Sequence, residues 1–484
     1  MGRRKGGLDF TRSSRKKVRG IEAVFMLLLF LAATAAGVLI FHMLKGKVEV
    51  PPVEGGEPTP VPAAEPKEEQ EDQEKVAAGP FGLWSVPVEE VEVTQVPQEE
   101  VWMADFVDTR TPTNVKGIYA KAGTLWQKFD SLLNMIDETE LNTIVVDIKD
   151  DDGRLTCELS GELIDKYGTI SSYAVDVAGM MKKLKEHNVY MVARIVTFKD
   201  NTLVKKAPEL GIHLKDGSVY RDNSKIGWLN PLNQEVLDFY VDIARNLKEL
   251  GFDEINFDYV RFPTEGRISE LKLEMDGEEI TRIDAITAAV KYLCEQIKPL
   301  GLYVSADVFG GVIKSAVDQR SVGQDYRELS KYLDYICPMI YPSHYGDGYY
   351  GVDHPDTQPY KIVYNAMLDS NKVLSGIPEG SHRAVVRPWL QDFTASYLRH
   401  YIRYGKEEVR TQIEAVYDSG QTSWLLWNAA VVYTKDALMT EEEADYAFAH
   451  RPTPTPTPVP ESQNGEPTRL PNAGQYIDSP WKKD

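Results

Sequence analysis

Residues 254–263 read EINFDYVRFP, a run whose side chains suit acid–base chemistry. Ile255, Phe257 and Val260 are strand formers, and Pro263 ends the pattern because proline cannot donate to a ladder. Alternation across a strand sets Asn256 and Asp258 on one face, with Phe257 and Tyr259 on the other. A carboxylate and an amide on the face of a buried strand cost free energy unless they are paired or used. Arg261 stands just beyond them as a candidate partner. Asp258 is therefore the first candidate for catalysis.

The rest of the chain supplies elements that could position it. Short apolar runs at 115–120, 143–148, 189–196, 302–309, 335–341, 384–391 and 424–429 join the opening run, and helical patterns separate them. The clearest helix precedes the opening strand: Val236, Tyr240, Ile243, Leu247 and Leu250 recur at three- and four-residue steps, and Gly251 suits a C-terminal cap. A second helix is expected from Leu125 to Ile136, opened by Thr124 as N-cap. Eight strands alternating with helices predict an α/β fold, a (β/α)8 TIM barrel over residues 113–450. An open doubly wound sheet is the alternative, but it would need a Gly-rich phosphate turn, and none is present.

Chemistry in a barrel lies at the C-terminal strand ends. Those ends carry Tyr119, Asp147 with Lys149, Arg194, Asp258 with Arg261, Asp307, Tyr341, Trp389 with Gln391, and Trp427. Taken singly, a strand-end Asp caps a loop and a lone Arg pairs with it. Their convergence on one face points instead to a ligand with both hydroxyls and apolar C–H faces, which is to say a carbohydrate. Glycosidic cleavage uses two carboxyl groups. Asp258 and Asp307 on neighbouring strands are the leading catalytic pair, with Asp258 as nucleophile or charge stabiliser and Asp307 as acid. Tyr119, Asp147, Lys149, Arg194, Asn256, Arg261, Tyr341, Trp389, Gln391 and Trp427 are read as substrate-binding. Asp147 and then Asp392 are reserve carboxylates. Such chemistry calls for no cofactor. Long insertions after the third, fourth and sixth strands, with turns at Asp216-Gly217 and Asp276-Gly277, suit loops that build a site.

The segment 228–231 (WLNP), the helix after it and residues 252–263 (FDEINFDYVRFP) resemble the glycoside hydrolase-like barrel family of bacterial envelope proteins. Residues 146–153 (VDIKDDDG), 305–309 (SADVF) and 337–342 (CPMIYP) fit the same family. The resemblance spans about residues 113–430, and the fourth-strand motif is its most specific part. It implies a TIM-type barrel related to amylase-like glycosidases, with Asp258 in the nucleophile position. Those enzymes carry a Glu acid after the fifth strand, where this chain offers Asp307.

The two ends are of another kind. Residues 1–20 hold eight Arg and Lys against a single Asp, although the whole chain of 484 residues has a formal charge of −20. Residues 21–44 are almost wholly apolar, long enough to cross a bilayer. The reading is a transmembrane signal anchor with a cytoplasmic N-terminus and an extracytoplasmic barrel at the cell membrane, because the basic flank stays inside. A cleaved signal peptide is the alternative. Residues 45–112 form a Pro/Glu-rich linker, and residues 451–484 a Pro/Thr-rich disordered tail. The acidic body excludes a nucleic-acid partner, which would need clustered Lys and Arg. Cys157, Cys294 and Cys337 are too few for a disulfide framework and are expected as buried thiols.

Other chemistries fit less well. A Schiff-base aldolase needs a Lys at a late strand end, and strands six to eight offer none. His344, Asp347, Asp353, His354 and Asp356 lie close in sequence without a zinc spacing, so no metal is expected. Asp150-Asp151-Asp152 reads as a solvated loop before a calcium site. The rival of a different class is a non-catalytic glycan-binding envelope scaffold.

Overall fold

The computed structural model describes residues 110, 112–275 and 277–451. The basic segment, the anchor, nearly all of the linker, the tail and Asp276 lie outside the described residues. Among the described residues no helix is long and apolar enough to cross a membrane.

The strands are β1 (Lys116–Ala120), β2 (Thr143–Lys149), β3 (Tyr190–Val196), β4 (Glu254–Asp258), β5 (Tyr303–Phe309) and β6 (Tyr335–Ile340). They continue with β7, in two pieces (Val385–Val386 and Trp389–Gln391), and β8 (Trp424–Trp427). Each pairs in parallel with the next, and β8 returns to β1 through Lys116↔Trp424 and Ile118↔Leu426, which closes the barrel. A helix follows each strand: α1 (Ala122–Asp137), α2 (Val177–Glu186), α3 (Gln234–Leu250), α4 (Arg282–Ile297), α5 (Tyr326–Leu329), α6 (Pro359–Leu374), α7 (Lys406–Asp418) and α8 (Glu441–Ala449). This is the (β/α)8 barrel expected from the alternation. The doubly wound sheet is excluded by closure.

Strands covered on both faces read as continuous apolar runs, and β2 (TIVVDIK) is buried at every position. Its even positions, Ile144, Val146 and Ile148, pack outward under the helices, while Val145 joins Tyr119, Val192, Trp389 and Leu425 inside the barrel. Caps mark the helix ends. The Asn233 side chain accepts from Val236 N to open α3, and Gly251 closes it in the left-handed region at φ 92°. Thr281 and Asp284 form a capping box on α4.

Three local expectations change. Helix α1 starts at Ala122 with Lys121 at the cap and no side-chain cap bond, so Thr124 sits inside the first turn. The strand runs almost directly into the helix there, and tertiary geometry rather than a capping side chain sets the start. β7 is interrupted at Arg387-Pro388, because proline has no N–H to give a neighbour. β4 ends at Asp258 instead of running on to Pro263, since Tyr259 adopts φ 52° and turns the chain. The 212–220 hairpin is present, bridged at His213↔Val219 with Gly217 at φ 84°. All three cysteines are buried free thiols.

Candidate active site

Register builds the site. Asp147 on β2 lies opposite Arg194 on β3, and Val196 lies opposite Asp258 on β4. Arg194, 2 % exposed, uses its planar fork on both carboxylates. Its Nη1 donates to Asp147 Oδ1 at 2.6 Å, and its Nε donates to Asp258 Oδ2 at 3.1 Å, reinforced by Nη2 on the same oxygen. The other Asp258 oxygen accepts the Tyr259 N–H at 2.6 Å. That bond comes with the left-handed backbone of Tyr259, a conformation that costs a non-glycine residue about 1–3 kcal/mol and concentrates at functional sites. Asp147 Oδ2 accepts from the Tyr119 hydroxyl at 2.5 Å. Burial pushes Asp147 up to about 6, against the opposing pull of the Arg194 charge.

Asp307 occupies a different environment. Its Oδ1 accepts from Asn256 Nδ2 at 2.9 Å and from Trp389 Nε1 at 2.7 Å. No cation is hydrogen-bonded to it among the described residues. Burial, with the negative charge of Asp258 next, pushes its carboxyl up to about 7 against those two bonds. Asn256 Nδ2 also donates to Ser305 Oγ at 3.0 Å, and Ser305 Oγ donates to Glu254 at 2.5 Å. Glu254 and Arg387, both fully buried, form a two-pronged ion pair deeper in the barrel. Asp307 is thus the upper end of a polar chain that runs down β4 and β5, which fixes its orientation.

Aromatic rings surround this centre. Tyr119 stacks on Trp427 with centroids 4.1 Å apart, and Trp389 meets Trp427 edge-on at 5.6 Å. The Arg194 guanidinium lies 5.6 Å from the Tyr119 centroid and 5.5 Å from that of Trp427. Tyr341 follows β6 directly, and the charges of Asp307 and Asp258 add to burial in holding its hydroxyl well above the usual phenol range. Arg261 packs at the β4 end among Trp228, Tyr259 and Phe309, with centroid distances of 5.0, 5.1 and 4.7 Å.

The structure therefore brings Asp258, Asp307, Asp147, Arg194, Asn256, Tyr119, Tyr341, Trp389 and Trp427 together. It sets two others apart. A bulge between Asp147 and Lys149 shifts the β2 register, so Lys149 pairs with Ile195 and turns away from Asp147. Its ammonium bonds to Asp200 at 2.8 Å and Val196 O at 2.6 Å, close to the Tyr240 ring of α3. Gln391 is fully buried; its amide accepts the Ser343 N–H and donates to Asp356 and the Phe393 carbonyl, tying loops together. Asp392 serves the β8 loop through Thr434. Two neighbours were not singled out from sequence. Asp151, read as part of a solvated acidic run, comes within 3.9 Å of Arg194 Nη2, and Ser305 sits in the Asp307 chain. Ser305, two residues before Asp307 on one strand face, carried a legible signal; Asp151 carried none. Among the described residues no group of three His, Cys, Asp or Glu could hold a metal ion. His354 of the late His/Asp segment stacks on His400 at 3.9 Å.

The closed parallel barrel thus carries two carboxyl groups, held differently, at neighbouring strand ends among Trp and Tyr rings. The family described as "Putative glycosyl hydrolase domain" matches residues 117–433. The chain belongs to that family, and with it to the hydrolases acting on glycosidic bonds. Among solved structures it is similar to a hypothetical protein from Ruminiclostridium thermocellum ATCC 27405, at 33% identity and TM-score 0.36, covering 40% of this chain and 97% of that one. It is also similar to the PgaB (BpsB) glycoside hydrolase domain from Bordetella bronchiseptica, at 12% identity and TM-score 0.49, covering 70% and 98%. The α-galactosidase TtGalA from Thermus thermophilus gives 15% identity and TM-score 0.42, with 71% and 63% covered. No curated protein matches the chain.

Proposed function

We propose that the chain is a membrane-tethered, extracytoplasmic glycoside hydrolase that cleaves a poly- or oligosaccharide with Asp258 and Asp307. The unequal holding of the two carboxyls carries this reading. Asp258 is clamped by the Arg194 guanidinium, while Asp307 is buried without a cation bonded to it and pushed up to about 7. That division is the one two-carboxyl catalysis requires. Each residue lies one step past the paired Phe257 and Ala306 on neighbouring strands, and the mechanism proposed for the pair is the retaining one, with Asp258 as nucleophile. In the first step the Asp307 proton passes to the glycosidic oxygen as its bond to the anomeric carbon breaks, and an Asp258 oxygen bonds to that carbon. In the second step Asp307 takes a proton from water, whose oxygen attacks the anomeric carbon and displaces Asp258. Trp427, only partly buried, would offer a ring face to the sugar, backed by the buried Tyr119 and Trp389. Residues 21–44, with their basic N-terminal flank, would anchor the chain and place the barrel outside.

The test is hydrolysis of wall and environmental glycans by the wild type, Asp258→Asn and Asp307→Asn. The expected losses in kcat are about a hundred- to ten-thousand-fold for D307N, and at least as large for D258N. Proton NMR of the first-formed product should show the anomer of the substrate. An inverted anomer removes Asp258 as nucleophile. Wild-type binding without release leaves the glycan-binding scaffold in place of the enzyme, and release that persists in both variants removes Asp258 and Asp307 as the catalytic pair.

A further inference from the structure

Two large rings on the strand-end rim stand in water. Trp126 is 53% exposed and Tyr173 is 48% exposed. Single exposed rings are ordinary on a protein surface, but these two are neither isolated nor remote from the site. Helix α1 begins two residues after Ala120, the last residue of β1, so its first turns lie at the face where the barrel opens. Trp126 follows Gly123 by three positions and shares its helix face. A Cβ added at Gly123 would lie 3.8 Å from the Tyr173 ring, which places the two aromatics along one edge. Tyr173 comes from the loop after β2, and its hydroxyl donates to Asp150 Oδ2. The next residue, Asp151, approaches the Arg194 guanidinium that clamps Asp258. The edge is thus continuous, through consecutive residues of one loop, with the centre of the barrel.

We propose that Trp126 and Tyr173 form a second binding platform, on which an uncharged polysaccharide chain lies as it leaves the barrel mouth. The assignment rests on the glycoside hydrolase reading and deepens it: the substrate is a polymer held beyond the bond that is cut. Flat exposed rings stack on sugar C–H faces, and the exposed Asp151 and Asp152 of the same loop repel a polyanionic chain.

The test uses the full-length chain with Trp126→Ala and Tyr173→Ala. Native gels are cast with a neutral β-glucan, a galactomannan, a soluble α-glucan, solubilised peptidoglycan strands or alginate, and reducing ends are assayed on the same polymers. Retardation by at least one neutral polymer is expected, with KM for it raised about tenfold in each variant while kcat holds, as one lost ring contact would give. Alginate should not retard the protein. Wild-type KM and mobility in both variants would overturn the platform, and equal retardation by alginate would overturn its preference for neutral chains. A wild type that cleaves nitrophenyl glycosides yet neither binds nor cuts any polymer overturns the platform and leaves the hydrolase standing. A wild type that cleaves nothing sinks the hydrolase reading alone; mobility then decides the platform, supported if W126A abolishes retardation and overturned if no polymer retards the wild type.

Discussion

Asp307 is held where its charged form is disfavoured. Its carboxyl sits near 7 in the fold against roughly 3.9 in an unfolded chain. The native state therefore binds the proton more tightly between those values, and this group costs stability as pH rises from about 4 through 7. Asparagine at 307 removes the charge while leaving an oxygen to accept from Asn256 and Trp389. Thermal unfolding of D307N should match the wild type near pH 4 and exceed it near pH 8, by an amount on the order of a few kcal/mol. If D307N is the less stable protein at pH 8, the environment assigned to Asp307 is incorrect. Activity that needs protonated Asp307 falls as pH rises through about 7. Trp389→Phe deletes a donor that favours the ionised form, so the alkaline limb of the kcat profile should move to higher pH.

At the scale of elements, small backbone departures decide which side chains meet. Alternation would have set Lys149 beside Asp147, but the β2 bulge turns it outward onto Asp200. Lys149→Met would leave the buried Asp200 carboxylate without its cation, at a cost of about 3–5 kcal/mol. Denaturant unfolding should show that loss, and kcat measured well below the transition should stay near wild type. A fall in kcat with stability unchanged would return Lys149 to the substrate. The end of β4 is decided in the same way: the left-handed Tyr259 stops the strand at Asp258 and supplies the N–H that its carboxylate accepts. Neither departure has a marker in residue type. The helix caps did: Gly251 and the spacing through α3 were legible because a left-handed cap and a buried helical stripe each demand particular side chains.

For the whole molecule, closure converts eight strand ends into one site. The barrel, its order and the convergence of Tyr119, Asp147, Arg194, Asp258, Asp307, Trp389 and Trp427 were readable from apolar runs and the polar residues that end them. The proposed anchor belongs to this scale as well. Removing residues 1–44 should move the protein from the membrane to the soluble fraction with specific activity unchanged. Retention in the membrane fraction would place the anchoring elsewhere. By itself the sequence determined the strand and helix periods, the acidic body and the carboxyl-bearing strand ends, because burial constrains residue type locally and repeatedly. Only the tertiary structure decided that Arg194 clamps Asp258 and Asp147, that Asp307 hangs on Asn256 and Trp389, and that Lys149 faces away. Those outcomes depend on register between strands, on one bulge and on one left-handed residue, and such geometry is set by packing among residues far apart in the chain.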